Sequence, residues 1–359
     1  MNPLIVPFFI SHRGCSHRCV FCNQATISGS DGTFPSTVEV VAKIDAYRRT
    51  AGGRPLEVAF YGGTFTALPR LVQQRLLHPL QSLLASGTVA SVRVSTRPDA
   101  IDQDIAATLR DMGVGVVELG VQSMDDRVLE NAGRGHTAAD VAAACGVLHR
   151  EGVAVGIQLM VGLPGDSPGG SLETLRRVLD LKPAFLRLYP TLVMAGTELA
   201  EMYRNGVYQP LTLDEAVGCC KVLLHEALRA DVPVIRCGLQ DTPALGKTGS
   251  CIAGPHHPAF RQLLDGALFY DLMVRLAGDV PVAEKLVLTC AASRVSAVAG
   301  QRRTNLQRLH RERGLRVAAI REESGFSPCE LGMSAGNFVR KGNLVQDLTY
   351  RMEDICRGR

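Results

Sequence analysis

The sequence predicts an α/β fold built on a parallel sheet, and three observations carry that reading. Strand-like and helix-like stretches alternate through six β/α units between Leu4 and Tyr189. The strand-like stretches end in polar or glycine-rich phrases. The first of them runs into a loop with three cysteines, Cys15, Cys19 and Cys22. Repeated β/α units give parallel strands with helical crossovers rather than a sandwich. Such units close into a barrel or stay open as a doubly wound sheet, and the pattern alone allows both.

At 359 residues the chain can bury a barrel-sized core and a smaller one beside it. Residues 4–10 are apolar and read as the first strand. Ser36 opens a helix, T-V-E-V-V-A-K-I-D-A-Y, with apolar residues at three- and four-residue spacing, and Gly52-Gly53 ends it. Residues 56–61, L-E-V-A-F-Y, form the second strand and run into Gly62-Gly63-Thr64-Phe65. Helices over 71–86 and 102–112 flank a strand over 91–96, and a strand over 115–121 follows. A further helical region precedes a strand over 153–160, a helix over 171–180 and a strand over 185–189. In either architecture ligands sit beyond the carboxyl ends of the strands. Those ends here read Y-G-G-T-F, S-T-R-P-D, E-L-G-V-Q-S, Q-L-M-V-G-L-P-G and Y-P-T.

The cysteines lie in R-G-C-S-H-R-C-V-F-C-N at C-x3-C-x2-C spacing. Three thiolates on one loop can hold a metal centre. A structural zinc needs a fourth ligand from His12, His17 or a distant cysteine. An iron–sulfur cube on three cysteines keeps one iron open for chemistry.

With Phe21 before the last cysteine, C-S-H-R-C-V-F-C resembles the signature of the radical SAM superfamily at every defined position. A closer resemblance is to the radical SAM half of the Elongator catalytic subunit and its bacterial relatives. It rests on F-F-I-S-H-R-G-C-S-H-R-C-V-F-C-N-Q, F-Y-G-G-T-F-T, S-T-R-P-D, V-E-L-G-V-Q-S-M-D-D-R-V-L, G-R-G-H-T and Q-L-M-V-G-L-P-G-D, and on L-R-L-Y-P-T-L-V. The resemblance implies a partial (β/α)6 barrel of TIM type and a 4Fe-4S cluster on Cys15, Cys19 and Cys22. The cluster would bind S-adenosylmethionine, with an external one-electron donor supplying the reduction that yields a 5′-deoxyadenosyl radical. Gly62, Gly63 and Thr64 would lie at the cofactor's methionine end, Glu118, Gln122, Gly162 and Gly165 around its ribose and adenine, and Phe21 would also belong to the cofactor site.

Other polar residues carry two readings each. Arg97 and Arg134 are site residues or ion-pair partners. Glu118, in the apolar strand V-G-V-V-E-L-G-V, must face the barrel mouth or pair with an arginine, since an unpaired buried carboxylate costs several kcal/mol. Gln158 is a core glutamine or a ligand contact. His136, His256 and His257 read as surface or capping residues.

The composition, 46% hydrophobic and 21% charged, is that of a soluble globular protein. The opening M-N-P-L-I-V-P-F-F-I has no basic region and predicts neither a signal peptide nor a membrane span. Eleven cysteines without a second cluster fit a reducing cytoplasm, the remaining eight, among them Cys356, reading as small core residues.

The predicted division is a barrel over 1–240, a linker and packing helix over 241–280, a small module over 281–322 and a tail over 323–359 without an assigned role. The module reads strand, helix, glycine turn, helix, strand, and V-A-G-Q-R-R-T-N-L-Q-R-L resembles the G-x-x-G loop of KH modules, which clamp about four nucleotides. Arg303 stands where that loop has its second glycine. Between Gln301 and Arg321 there are seven arginines and one glutamate, a local +6 against +4 for the whole chain. Arg302, Arg303 and Arg308 are the candidate RNA contacts. No acetyltransferase activity is expected. The R/Q-x-x-G-x-G/A phrase at Arg110 to Gly115 joins a helix to a strand, the reverse of the order an anion-binding loop needs.

The leading functional expectation is a radical SAM enzyme modifying RNA, in particular tRNA. The alternatives are a radical SAM enzyme for a small molecule or peptide, and a non-catalytic iron–sulfur regulator that binds RNA.

Overall fold

The computed structural model describes residues 3–240, 242, 249–278 and 285–355. Part of the predicted linker and Cys356 lie outside the described residues. The chain divides into two compact units, one of residues 1–210 and 239–254 and one of residues 211–238 and 255–359.

In the first unit, strands β1 (Leu4–Phe9), β2 (Leu56–Tyr61), β3 (Ser91–Thr96), β4 (Val114–Gln122), β5 (Ala154–Val161) and β6 (Phe185–Pro190) pair in sequence order, all parallel. This is the curled half-barrel sheet of the predicted α/β class. A short antiparallel pair, β7 (Val193–Met194) and β9 (Cys251–Ala253), forms a separate two-stranded sheet in the same unit.

Alternation along each strand makes the two faces of the sheet different. Val58, Phe60, Val92, Val94, Val117, Leu119, Ile157, Leu159, Leu186 and Leu188 lie on one face, all nearly or fully buried, and this is where the crossover helices pack. Glu57, Arg93, Glu118, Gln158 and Arg187 occupy the other. Phe8, Phe60 and Phe65 stack in a chain with centroids 5.6 and 5.5 Å apart, joining β1 to the loop after β2.

Local signals set the helix ends. Ser36 caps the helix Thr37–Thr50 in a capping box with Glu39, and Thr137 does the same with Asp140 for Ala138–Arg150. The helix expected over 71–86 is broken instead. It runs Arg70–Leu77, passes through a 3-10 turn at His78–Leu80 and resumes at Gln81–Ala85, because Pro79 cannot donate to the helical ladder.

The second unit holds the helices Leu213–Arg229 and Phe260–Ala277, with β8 (Val234–Cys237) between them in sequence. Its sheet has the order β11-β10-β12-β13, formed by β10 (Lys285–Cys290), β11 (Arg316–Glu322), β12 (Glu330–Ala335) and β13 (Phe338–Asn343). β10 pairs parallel with β11 and antiparallel with β12. The predicted strand–helix–turn–helix–strand order is present. The stretch left without a role, 323–359, supplies two of the four strands, so the small α/β module is larger than its predicted 281–322. Asn305 locks its centre, donating to the carbonyls of Gly266, Ala297 and Val298 at 2.8, 3.2 and 3.2 Å.

Candidate active site

The three cysteines leave β1 on a loop that is wedged against the end of β2. Ile10, fully buried, donates its amide to the Tyr61 carbonyl, and Thr64 donates to the Arg13 carbonyl at 2.7 Å. Gly14 and Gly63 both sit at positive φ. A Cβ on Gly63 would lie 2.3 Å from the Arg13 carbonyl oxygen, and one on Gly14 would lie 2.2 Å from that of Thr64. Only glycine permits two backbones to approach this closely. The Gln24 side chain ties the same loops, accepting from the amides of His12 at 2.5 Å and Gly63 at 2.8 Å. Gly62, the other glycine expected at the cofactor, also has positive φ, and a Cβ there would lie 3.1 Å from Gln24 Oε1 and 3.5 Å from the Ser11 Cα.

The thiols are gathered by their loop. Cys15 Sγ is 3.4 Å from Thr64 Oγ1, and Cys19 Sγ accepts from Arg134 Nη1 at 3.0 Å. Burial pushes the Cys22 thiol up to about 12, and the neighbouring Cys19 and Cys15 push in the same direction. Thiolates so placed repel one another, and a cationic metal group is what allows them to ionise together. Among the described residues no three Cys, His, Asp or Glu groups converge as ligands of a single ion. A cube takes each thiolate on a different iron, and three thiolates on one loop are a donor set that such a cluster can use. Phe21 is held between two apolar clusters, Val20, Val193, Leu199, Ala200 and Tyr208 on one side and Val128, Ala132 and Leu163 on the other.

The inner face of the sheet carries a belt of charge. Glu118 Oε1 accepts from Arg93 Nη1 at 2.6 Å and from Arg187 Nη2 at 2.9 Å. Arg93 also pairs with Glu57, and Arg187 donates to the hydroxyls of Tyr61 at 3.0 Å and Tyr189 at 3.3 Å. The belt is neutral, two carboxylates against two guanidiniums, and Glu118 is paired as its place in an apolar strand requires. Beyond it, Gln122 has a left-handed backbone, φ 70°, at the carboxyl end of β4. For a residue other than glycine that costs about 1–2 kcal/mol, a strain that concentrates at functional sites. Its Oε1 accepts from Gln158 Nε2 at 3.5 Å, and Gln158 is half-buried on the inner face.

After β5, Gly162 and Gly165 both have positive φ, and a Cβ on Gly165 would lie 2.6 Å from Asn131 Nδ2. Asp166 organises this turn, accepting from the Gly162 amide at 2.9 Å and from Ser171 Oγ at 2.7 Å. Tyr208 fastens the turn from outside by donating to the Gly162 carbonyl at 2.6 Å.

Residues 9–178 match the family model of the radical SAM superfamily. The chain belongs to the radical SAM superfamily. Residues 183–269 match its C-terminal domain model. A tRNA uridine(34) acetyltransferase of Methanocaldococcus jannaschii is 28% identical over 255 residues, 59% of this chain and 47% of the relative. Elongator complex protein 3 of Schizosaccharomyces pombe is 27% identical over 54% of this chain and 43% of its own length. The chain thus spans about half the length of these relatives. The solved Elp3 of Methanocaldococcus infernus shares the fold, with a TM-score of 0.57 and 24% identity over 76% of this chain and 62% of that one.

The candidate site includes groups that the sequence alone does not single out. Glu57, Arg93 and Arg187 each carry a charge at an inward position of an otherwise apolar strand, as in L-E-V-A-F-Y and F-L-R-L-Y-P, and Asp166 lies in the turn after β5. His136, expected at the surface, is buried. Burial first, then the Arg134 and Arg97 guanidiniums, holds its imidazole down to about 4, so it is neutral at physiological pH. Arg97 is an ion-pair partner, bidentate to Asp99 at 2.9 and 3.0 Å, but a buried one. His257 Nδ1 accepts from the Ala259 amide just ahead of the helix Phe260–Ala277, which has no side-chain cap.

In the second unit Arg302 and Arg303 are exposed on the loop after Gly300, with φ of 51° and 63°. Arg303 therefore holds the backbone conformation that a glycine at its position would favour. Arg308 is differently placed. It pairs with Glu312 at 2.9 Å and lies over the Tyr270 ring, 4.0 Å from its centroid, while Tyr270 donates its hydroxyl to Glu312 at 2.6 Å.

Proposed function

We propose that this chain is a radical SAM enzyme that acts on RNA, with tRNA as its substrate. The observation that carries the enzymatic part is the three-cysteine loop locked by Gly14 and Gly63 onto the carboxyl end of β2. Bound there, a 4Fe-4S cluster and S-adenosylmethionine supply a carbon-centred radical able to take hydrogen from an unreactive carbon.

The chain's own residues hold and orient. Cys15, Cys19 and Cys22 bind the cluster, and Gly62 to Thr64 and Gly162 to Gly165 present main-chain groups to the cofactor's two ends. Glu118, Gln122 and the charge belt give it a polar floor of fixed geometry. Phe21, packed between its two apolar clusters, keeps one wall dry. Reduction requires an external one-electron donor. Work on RNA places the proposed activity in the cytoplasm. Among the described residues no helix is long and apolar enough to cross a membrane.

The RNA part is supported by the relatives named as tRNA uridine(34) acetyltransferases and by the basic loop of the small module, read as KH-like. Binding of tRNA is expected to weaken with salt by about 0.7 log units per log unit for each phosphate neutralised on a single strand. Arg302→Gln with Arg303→Gln should lower affinity for all RNAs alike and flatten that slope by about 1.4. Arg308→Gln should leave the slope nearly unchanged, because its guanidinium is committed to Glu312 and Tyr270. Filter binding across a salt series checks both. Absence of RNA binding at low salt would make the module a structural cap and favour a small-molecule or peptide substrate.

A further inference from the structure

Arg134 is 6% exposed and has its guanidinium fixed at both ends. Nη1 donates to Cys19 Sγ at 3.0 Å, and Nη2 donates to the Gly120 carbonyl near the end of β4. Gly120 leaves room for this contact, since a Cβ there would stand 3.3 Å from Nη2. Arg134 itself follows the helix Asp126–Asn131, with its amide on the Leu129 carbonyl at 2.9 Å. The side chain is therefore held from the strand, aimed at a sulfur and screened from solvent. Among the described residues Arg134 makes no ion pair with a carboxylate, and the Asp99 side chain is bound by Arg97.

We propose that Arg134 is a positioning residue that sets the reduction potential of the iron–sulfur centre through a charge-assisted N–H···S bond to Cys19. The inference rests on the cluster reading of Cys15, Cys19 and Cys22 given above. Adding an electron to a cluster increases the negative charge on its sulfurs. A hydrogen-bond donor and a buried positive charge at one of those sulfurs stabilise the reduced form more than the oxidised form, which raises the potential. Burial keeps the effect from being screened by salt. An arginine in this position would make the cluster reducible by a milder donor than the thiolates alone permit.

The test is a potentiometric titration, followed by electron paramagnetic resonance, of the anaerobically reconstituted full chain as wild type, Arg134→Lys and Arg134→Gln. Iron and sulfide are counted in each sample. The expected order of midpoint potential is wild type, then the lysine variant, then the glutamine variant. At the wild-type midpoint the ratio of reduced to oxidised cluster in the glutamine variant should fall about tenfold, which is ~59 mV for a one-electron couple. Loaded variants with wild-type potentials overturn the inference while leaving the cluster reading intact. Wild-type protein that takes up no iron and sulfide overturns the cluster reading itself. If the glutamine variant does not load, the lysine variant decides: a lowered potential supports the inference, and an unchanged one overturns it.

Discussion

Replacing Glu118 by alanine is expected to destabilise the first unit by about 3–5 kcal/mol, the cost of breaking a buried ion pair from one side. The carboxylate is 5% exposed and is shared by Arg93 and Arg187 at 2.6 and 2.9 Å. Its loss leaves two guanidiniums on the inner face of the sheet. Arg93 keeps Glu57 and Arg187 keeps the Tyr61 hydroxyl, so neither is stripped of partners, but the belt changes from neutral to a net +1. Glu118→Gln keeps the shape and a carbonyl acceptor, and should cost less. Denaturant unfolding followed by a probe in the first unit measures the difference. Equal stability of wild type and Glu118→Ala would mean that water already solvates the arginines and that the belt does not organise the sheet.

The second large effect is on metal content. Changing Cys15, Cys19 and Cys22 together to alanine should abolish iron and sulfide uptake on anaerobic reconstitution, with the far-ultraviolet circular dichroism of the fold retained. The loop is anchored by main-chain bonds and by Gly14, Gly63 and Gln24 rather than by the thiols. The apo fold should therefore not suffer. Iron and sulfide retained by the triple variant would place the cluster on other cysteines. Cys219 and Cys220 are the only adjacent pair in the sequence, and both are buried in the helix Leu213–Arg229.

The order and type of the barrel elements were legible because each unit carries its own punctuation. Ser36 with Glu39 and Gly52-Gly53 mark one helix, and L-E-V-A-F-Y marks one strand to the residue. The break at Pro79 was legible too, though an apolar helical period on both sides masks it. The cysteine loop and the glycine turns could be placed at strand ends because each is a contiguous phrase, and their reading as a cofactor site came from the family resemblance. The belt was not, since Glu57, Arg93, Glu118 and Arg187 come from strands far apart in sequence, and only the register brings them together. His136 was misplaced for the same reason: a local G-R-G-H-T phrase does not say what packs above it. The tail strands β12 and β13 escaped because G-M-S-A-G-N-F-V-R-K-G-N has the composition of a loop, and its pairing with β10 is long-range. Arg308 was grouped with the loop arginines by charge, although Tyr270, distant in sequence, claims it.

The central claim is that this chain performs radical chemistry with S-adenosylmethionine. The most direct measurement is chromatographic detection of 5′-deoxyadenosine after reducing the anaerobically reconstituted protein in the presence of that cofactor. The account predicts 5′-deoxyadenosine from the wild type and none above background from the protein lacking Cys15, Cys19 and Cys22. Wild-type protein that carries stoichiometric zinc without iron or sulfide, or that carries a full cluster and releases no 5′-deoxyadenosine either alone or with tRNA, would contradict it.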